Sequence, residues 1–335
     1  ILTSAKKLLA QYIADQGFPL EEALTMASFG GKELIITSIF LVISVFLVAK
    51  ILKTNAASPF LIGLTLLVIV DLTRANLPWI QYDDYKYKYD NKNPLIDRLS
   101  QLPHKGRVTI SPLPSGDLGR LYAIEWLQHQ FLYNNIQSID IVQAPRMSAD
   151  HEAFERRFTI TGDTNTHYLA GRRWELTNTR WILGKTNDLA FFNQKFDPKK
   201  GRFTSTNSFL IGLRPDARNP KSPVFEDLTT QFNPAGTYSL IHFDGALPRA
   251  KLYSHWQVQT NNSATLETLA SREFNPHSTV IINSQIEPST AAPDQVAGSV
   301  SIIEYKPKEI QLIANATSEA VLMLNDHWSP HWNVS

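Results

Sequence analysis

Two long apolar runs, separated by a short basic turn, dominate the hydropathy pattern between Leu34 and Leu72. The first run, Leu34–Leu52, carries a single charge at Lys50. As a helix it spans about 28 Å, close to the thickness of a hydrocarbon core. The second run, Phe60–Val70, is shorter. It is long enough to cross a membrane only when its flanking residues, from Ser58 to about Ile80, are included. The pattern therefore predicts a transmembrane helical hairpin over residues 34–80, with helices at about 34–52 and 58–80. A buried hairpin of a soluble protein is the alternative, but core helices rarely have so long an uncharged run.

Residues 1–33 form a polar segment ahead of the hairpin. Helix-spaced apolar residues predict an amphipathic helix over Ile1–Asp15, and Gly17 and Pro19 are typical of a helix end. A second short helix is predicted over Leu20–Ser28, with a break at Gly30 and Gly31 before the apolar run.

Lysine positions predict the orientation of the hairpin. The turn carries Lys50 and Lys53 and no acid, so it is expected on the cytoplasmic side of the membrane. Residues 1–33 and everything after residue 80 are then expected outside the cytoplasm. Lys6, Lys7 and Lys32 oppose this orientation.

Beyond the hairpin, strand and helix patterns alternate. An aromatic exit segment containing Trp79, Tyr82, Tyr85, Tyr87 and Tyr89 suits the headgroup zone. Residues 81–186 are then predicted to form a mixed α/β domain of two or three layers. Its predicted strands and helices lie at Arg107–Ser111, Leu118–Tyr133, Ile136–Val142, Ala149–Phe158 and Leu176–Leu183.

From residue 187 onward, short strands separated by Pro, Asn and Ser favour a β-sandwich over residues 187–335. The predicted fold class is thus an α+β membrane protein fragment. Two transmembrane helices are followed by an extracytoplasmic mixed α/β region and a β-sandwich-like carboxyl-terminal region.

Composition narrows the function classes. The 335 residues have a formal net charge of +1, so no global field attracts nucleic acid. The absence of cysteine excludes disulfides, thiolate zinc sites and a cysteine nucleophile. The mean hydropathy of −0.18 conceals one apolar block in a polar chain. Because the sequence starts at Ile1 and stops just after a strand-like run, we expect it to be a piece of a longer protein.

Three acidic residues are candidates for a functional groove. Asp71 lies at the outer end of the second apolar run, where a carboxylate is costly unless it faces protein. Pairing with Arg74, three residues later, is the structural alternative. The adjacent Asp83 and Asp84 have the oxygen ligands that a divalent ion uses, but a hydrated loop explains such a dipeptide better.

Other chemistry is not predicted. His327 and His331 have a spacing used in zinc sites, but Pro330 prevents a regular helix between them. The chain has no Gly-x-Ser-x-Gly elbow, phosphate-binding loop or dinucleotide fingerprint. The residues alone therefore predict no catalytic site, no metal site and no cofactor.

Eight short segments form an ordered series along the chain. They are Val70–Leu72, Asn93–Leu99, Leu176–Leu183, Ala246–Ala250, Phe274–Pro276, Glu304–Ile310, Leu322–Asp326 and Ser329–Trp332. In this order they resemble the carboxyl-terminal part of the YfhO-like bacterial membrane proteins. In this chain His331 replaces a glycine of the family pattern, and Ser335 precedes the hairpin that follows there.

The resemblance implies a multi-pass protein of the bacterial cytoplasmic membrane, similar to the GT-C class of glycosyltransferases. Such an enzyme takes its sugar from a polyprenyl-phosphate donor, and its acidic base would lie upstream of Ile1. This part would supply the last membrane helices and an extracytoplasmic domain that binds a glycan acceptor or braces the catalytic loops. The expected partners are the lipid bilayer, a lipid-linked sugar and a glycan acceptor.

A non-enzymatic, membrane-anchored envelope protein is the alternative hypothesis, with a sandwich that binds carbohydrate or protein. An exposed aromatic shelf formed by Trp126, Trp256 or Trp328 would favour it, and buried tryptophans would count against it.

Overall fold

Two compact units make up the chain, residues 1–83 and 84–335. The computed structural model describes residues 2–54, 58–80, 82, 84–90, 92–101, 106–141, 146–284, 286, 287, 289, 291–293, 295–329 and 331–334. The protein is α+β, with two apolar helices near its amino terminus followed by a sheet-rich region.

The described part of the first unit contains three helices and a short 3₁₀ turn. They are α1 (Leu2–Asp15), α2 (Leu20–Lys53), α3 (Ser58–Asn76) and the 3₁₀ turn Leu77–Trp79. Helix α1 matches the predicted amphipathic helix, and Gly17 follows it with φ +99°, a conformation that favours glycine. Where α1 and α2 meet, Ala10, Ala23 and Ala27 are buried, because small side chains let helices approach closely.

The predicted break at Gly30 and Gly31 is wrong. Helix α2 runs without interruption through both glycines into the apolar segment. Each glycine costs a helix about 1 kcal/mol relative to alanine. A helix already nucleated on both sides of the pair tolerates that cost.

Helices α2 and α3 are long and apolar enough to cross a membrane, which supports membrane association. Helix α2 has 34 residues, about 51 Å at 1.5 Å per residue, and so exceeds a hydrocarbon core. Within the described residues, none of the most apolar 18-residue window of either helix is buried.

In the second unit, eight further helices are described. They are α4 (Tyr85–Tyr89), α5 (Pro94–Ser100), α6 (Asp117–Leu121), α7 (Phe131–Tyr133), α8 (Ala149–Phe158), α9 (Tyr168–Leu176), α10 (Asp188–Phe191) and α11 (Asn262–Ala270). A π-helical stretch, Tyr122–Gln130, joins α6 to α7, so that one continuous helix covers the predicted Leu118–Tyr133. Another, Phe192–Phe196, extends α10. Short 3₁₀ turns occur at Thr164–Thr166 and Phe225–Asp227.

Eleven strands are described. They are β1 (Arg107–Ile110), β2 (Thr179–Lys185), β3 (Phe203–Leu213), β4 (Leu228–Phe232), β5 (Tyr238–Phe243), β6 (Ala250–Tyr253), β7 (Trp256–Val258), β8 (Val280–Ile282), β9 (Gly298–Lys306), β10 (Glu309–Ala316) and β11 (Val321–Leu324).

The main sheet has five strands in the order β1-β2-β5-β3-β4. Strands β1 and β2 are parallel and the other pairs antiparallel. Strands β2 and β5, which pair directly, lie on either side of the predicted domain boundary at residue 186. The strand predicted over Ile136–Val142 is reduced, among the described residues, to one bridge between Ser138 and Val108; Val142 lies outside them.

Helices cover both faces of the main sheet. Consecutive strand residues point to opposite faces, so Leu183 and Leu240 pack with α5 and the α6–α7 helix, whereas Ile182 and Ile241 pack with α9 and the Phe192–Phe196 stretch. The arrangement is three-layered, one of the two forms predicted for the α/β region. The remaining described strands pair as β9 with β10, β6 with β11, and β7 with β8. A β-sandwich over residues 187–335 remains a prediction.

Candidate functional site

Asp71 takes part in an ion-pair cluster between two helices. Arg74 on α3 donates to Asp71 Oδ1 at 3.0 Å and to Glu33 Oε2 on α2 at 2.5 Å. The side chain of Arg74 also lies over the Phe40 ring, 5.7 Å from its centroid. The pairing of Asp71 with Arg74 that the sequence offered as an alternative is therefore present, extended by Glu33.

Asp84 begins helix α4. Its carboxylate accepts hydrogen bonds from the backbone amides of Lys86 and Tyr87, 3.1 and 3.2 Å away, and from the Arg218 guanidinium. The bond from Arg218 is the main reason why the pKa of Asp84 lies below its usual value. These hydrogen bonds have structural roles. The two from the backbone amides cap helix α4, and the one from Arg218 connects the start of the helix to a distant loop. Asp83 lies outside the described residues.

The predicted aromatic exit segment has two kinds of tyrosine environment. Trp79 and Tyr82 are largely exposed. Tyr87 instead packs against two guanidinium groups, with Arg214 and Arg218 lying 4.3 and 3.8 Å from its ring centroid. Its hydroxyl donates to Asp227. Tyr87 thus fastens the start of the second unit to the segment between β3 and β4.

The histidine pair near the carboxyl terminus has other contacts. His327 stacks on His151 with ring centroids 5.7 Å apart. The neighbouring carboxylate of Asp326 accepts hydrogen bonds from Arg107 and Tyr305. These contacts account for Asp326 without a metal ion.

A cleft of the second unit lies away from these predicted residues. It has a volume of about 300 Å³ and is formed by α9, the turn before β3 and the loop after α11. We call it the arginine cleft. Its lining is Tyr168, Gly171, Arg172, Glu175, Phe196, Asp197, Pro198, Lys199, Lys200, Arg202, Arg272, Glu273, Phe274, Asn275 and Pro276.

A network of ion pairs centred on Glu175 forms the inner wall of the arginine cleft. Arg172 and Arg202 approach different oxygens of the Glu175 carboxylate, at 2.7 and 2.8 Å. Arg202 also binds Asp197 through its Nε at 2.8 Å. His277 Nε2 lies 3.3 Å from Glu175. The network joins α9 to the two loops that complete the cleft.

Hydrogen bonds to backbone carbonyls complete the frame. Arg172 Nη2 donates to the carbonyls of Ser271 and Phe274, at 2.9 and 2.8 Å, and so fixes the loop after α11. At Gly171 a side chain would approach the Phe196 carbonyl oxygen to 3.0 Å, which explains why glycine suits this tight contact. The inner wall is therefore built with little freedom to move.

The charge state of the frame follows from these contacts. Burial by itself raises the pKa of Glu175, but hydrogen bonds from His277 and Arg202, together with the charge of Arg172, lower it to about 2. Burial lowers the pKa of Arg202, and its bonds to Asp197 and Glu175 outweigh that effect, so the net direction is upward. Glu175 and Arg202 are consequently both charged at neutral pH.

The rim of the arginine cleft differs from its inner wall. Arg272 lies over the Tyr168 ring at 4.2 Å and reaches the Asn165 carbonyl at 3.5 Å. Lys199 and Lys200 are exposed on the turn that precedes Gly201, whose φ is +59°. Among the described residues, no carboxylate lies within ion-pair distance of these three cations.

Sequence reasoning missed the arginine cleft. Its residues are spread over three segments between residues 168 and 276, and no motif spacing connects them. The adjacent Lys199, Lys200 and Gly201 are typical of an exposed turn and do not by themselves indicate a site. No protein-family model, curated protein or solved structure matches this chain. The candidate site therefore rests on the geometry of the chain itself.

Proposed function

We propose that this chain is the carboxyl-terminal part of a membrane protein of the bacterial cell envelope. The observation that carries the proposal is the pair α2 and α3, whose apolar windows are unburied, followed by a unit with its own core. In water such helices would expose a large apolar surface, whereas lipid would cover it. The second unit is then a domain outside the membrane.

The proposed orientation places the turn between α2 and α3 in the cytoplasm and residues 84–335 outside it. Lys50 and Lys53 in the last turn of α2 support this direction. Exposed Trp79 and Tyr82 suit the membrane interface on the opposite side. The bacterial cytoplasmic membrane is the proposed location.

Single-cysteine labelling tests the orientation cleanly, because the chain has no cysteine. We expect a membrane-impermeant maleimide to label Lys308→Cys on intact spheroplasts and Thr54→Cys only after permeabilisation. The chain should also remain in the membrane pellet after carbonate extraction. Labelling of Thr54→Cys on intact cells, or release of the chain by carbonate, would overturn the proposal.

For the whole protein we propose a glycosyltransferase of the YfhO-like type, using a polyprenyl-phosphate sugar. The support is the ordered series of resembling segments and the ion-pair cluster of Glu33, Asp71 and Arg74, which is costly at a lipid-facing position unless further helices shield it. In this proposal the second unit, including a sandwich-like region, binds a glycan acceptor or braces the catalytic loops.

Transfer assays on the full-length protein test this activity. Asp71→Ala, Asp83→Ala and Asp84→Ala should each reduce sugar transfer to a polymeric acceptor, compared with the exposed control Asp117→Ala at equal expression. Unchanged transfer in all three variants would remove these carboxylates from the donor groove.

The non-enzymatic alternative loses part of its basis. Trp126 and Trp256 are 1% and 6% exposed, and of the three tryptophans considered for an aromatic shelf only Trp328, at 73%, is open to solvent. One exposed ring is not a shelf. The arginine cleft is the observation that still favours a binding role for the second unit.

A further inference from the structure

The balance of positive and negative side chains distinguishes the arginine cleft from two other concave surfaces of the chain. The pocket at the end of β1 combines Arg173 with two carboxylates, Asp140 and Glu155, so it offers no surplus of positive charge. The apolar groove along α2 lies on a surface that lipid would cover. The arginine cleft is lined by five cationic and three acidic side chains, an excess of two positive charges.

We propose that the arginine cleft binds a small organic phosphate. This inference concerns residues 168–277 of the second unit alone and so goes beyond the membrane function proposed above. The shared chemistry is a phosphate group attached to a compact ring or chain. Its source is either a soluble phosphate ester or a lipid headgroup.

The ion pairs of the inner wall fix the geometry of the cleft before any ligand binds. Glu175 holds Arg172 and Arg202 in fixed positions, and Arg172 in turn holds the loop that carries Arg272. Arg172 and Arg202 spend their donors within this frame, and a loop that is already fixed loses little entropy when a ligand binds to the side chains it carries. The two acids of the inner wall, Glu175 and Asp197, are matched by Arg172 and Arg202, so the inner wall carries no net negative charge towards an anion at the rim.

The rim supplies a surplus of positive charge. Among the described residues, Arg272, Lys199 and Lys200 have no carboxylate at ion-pair distance. The nearby Glu273 accepts a hydrogen bond from the Ser271 hydroxyl, which lowers its pKa together with the charges of Lys199 and Arg272, so this one carboxylate offsets only part of the three positive charges. A guanidinium recognises two phosphate oxygens at once, and lysines add compact point charges. Together these groups fit a dianionic phosphate.

Apolar walls favour an organic phosphate over the inorganic ion. Tyr168, Phe196 and Phe274 line the cleft together with Pro198 and Pro276. The volume of about 300 Å³ is at the lower end of the range for small-molecule sites. A π-helical stretch, a feature often found at functional sites, leads directly into the cleft at Phe196.

Binding measurements on the full chain test the proposal. In nanodiscs of zwitterionic lipid, calorimetry should detect saturable binding of phenyl phosphate, weaker binding of inorganic phosphate and none of phenol. Arg272→Gln, and the double variant Lys199→Gln with Lys200→Gln, should each weaken phenyl phosphate binding at least about tenfold. These side chains are exposed or half-buried at the rim, so the fold should persist, as circular dichroism can verify.

The matched control is the double variant Lys306→Gln with Lys308→Gln at the β9–β10 turn, which should bind as the unmodified chain does. Equal affinity for phenol and phenyl phosphate, equal weakening by the control, or no saturable binding would each overturn the proposal. Adding anionic lipid to the nanodiscs distinguishes the two sources. Displacement of phenyl phosphate supports a lipid headgroup, and unchanged affinity supports a soluble phosphate ester.

Discussion

At Glu175, burial and ion pairing act in opposite directions on one carboxylate. The side chain is 6% exposed, and burial alone would favour its neutral form. Two arginines and His277 reverse that preference and lower its pKa to about 2. A residue that the sequence gives no reason to single out thereby becomes the centre of the arginine cleft.

Replacing Glu175 by glutamine should destabilise the second unit at neutral pH. The folded-state pKa of about 2 lies below the ordinary value of 4.5. The charged carboxylate therefore stabilises the fold above about pH 4.5, by on the order of 3 kcal/mol. That contribution disappears as the pH falls from about 5 towards 2. Denaturant unfolding followed by tryptophan fluorescence should show a gap between the two proteins that closes over this interval.

A surface ion pair provides the control for that experiment. Glu152 binds Arg156 at 2.6 Å, but their side chains are 60% and 75% exposed. Glu152→Gln should change the free energy of unfolding by less than about 1 kcal/mol. A gap for Glu175→Gln that stays constant from pH 7 to pH 2 would show that the carboxylate is not ionised in the fold as described.

Helix α2 shows that whether a glycine ends a helix depends on the backbone conformation that the glycine adopts. Gly30 and Gly31 adopt helical geometry inside α2, whereas Gly17, between α1 and α2, has φ +99°. All three are glycines, but only Gly17 occupies a region of backbone space that other residues avoid.

Alanine substitution should therefore have opposite effects at the two sites. Gly31→Ala should stabilise α2 by about 0.5–1 kcal/mol, because nothing lies within 4 Å of the added carbon and alanine is the better helix former. Gly17→Ala also meets no neighbour, yet it should destabilise the α1–α2 turn by about 1 kcal/mol through backbone strain alone. Hydrogen exchange of the amides within one turn of each site measures both changes. Faster exchange around Gly31→Ala would indicate that α2 is interrupted there.

The whole second unit is organised by one sheet that joins distant parts of the chain. Strand β1 near residue 107 and β5 near residue 240 both pair with β2. Leu183 on β2 and Leu240 on β5 are fully buried neighbours in the same core. We therefore expect residues on both sides of residue 186 to unfold together.

Leu240→Ala tests this cooperativity. Removing a fully buried leucine side chain should cost about 2–5 kcal/mol. If the sheet is one cooperative unit, amide protection in β1 and β2 should fall by the same free energy as in β3 and β5. Leu132→Ala, at a side chain 76% exposed, is the control. Loss of protection limited to residues beyond 186 would indicate two independent domains, as the sequence predicted.

Local patterns predicted many elements well, because these depend on near neighbours. The apolar runs predicted the apolar part of α2 and most of α3, and the helix predicted over Ala149–Phe158 is α8. Prediction was poorer where pairing with a distant strand decides whether a segment becomes a β-strand. Ile136–Val142 has strand-like residues, yet its described part bridges β1 only at Ser138.

By itself the sequence determined that two segments are long and apolar enough for a membrane and that an α+β region follows them. Each of those properties depends only on residues that are close together in the sequence. Only the tertiary structure placed β1, β2 and β5 in one sheet and gathered Arg172, Glu175, Arg202 and Arg272 around one cleft. The physical reason is that ion pairs and strand pairing depend on distances in space, which chain spacing does not encode.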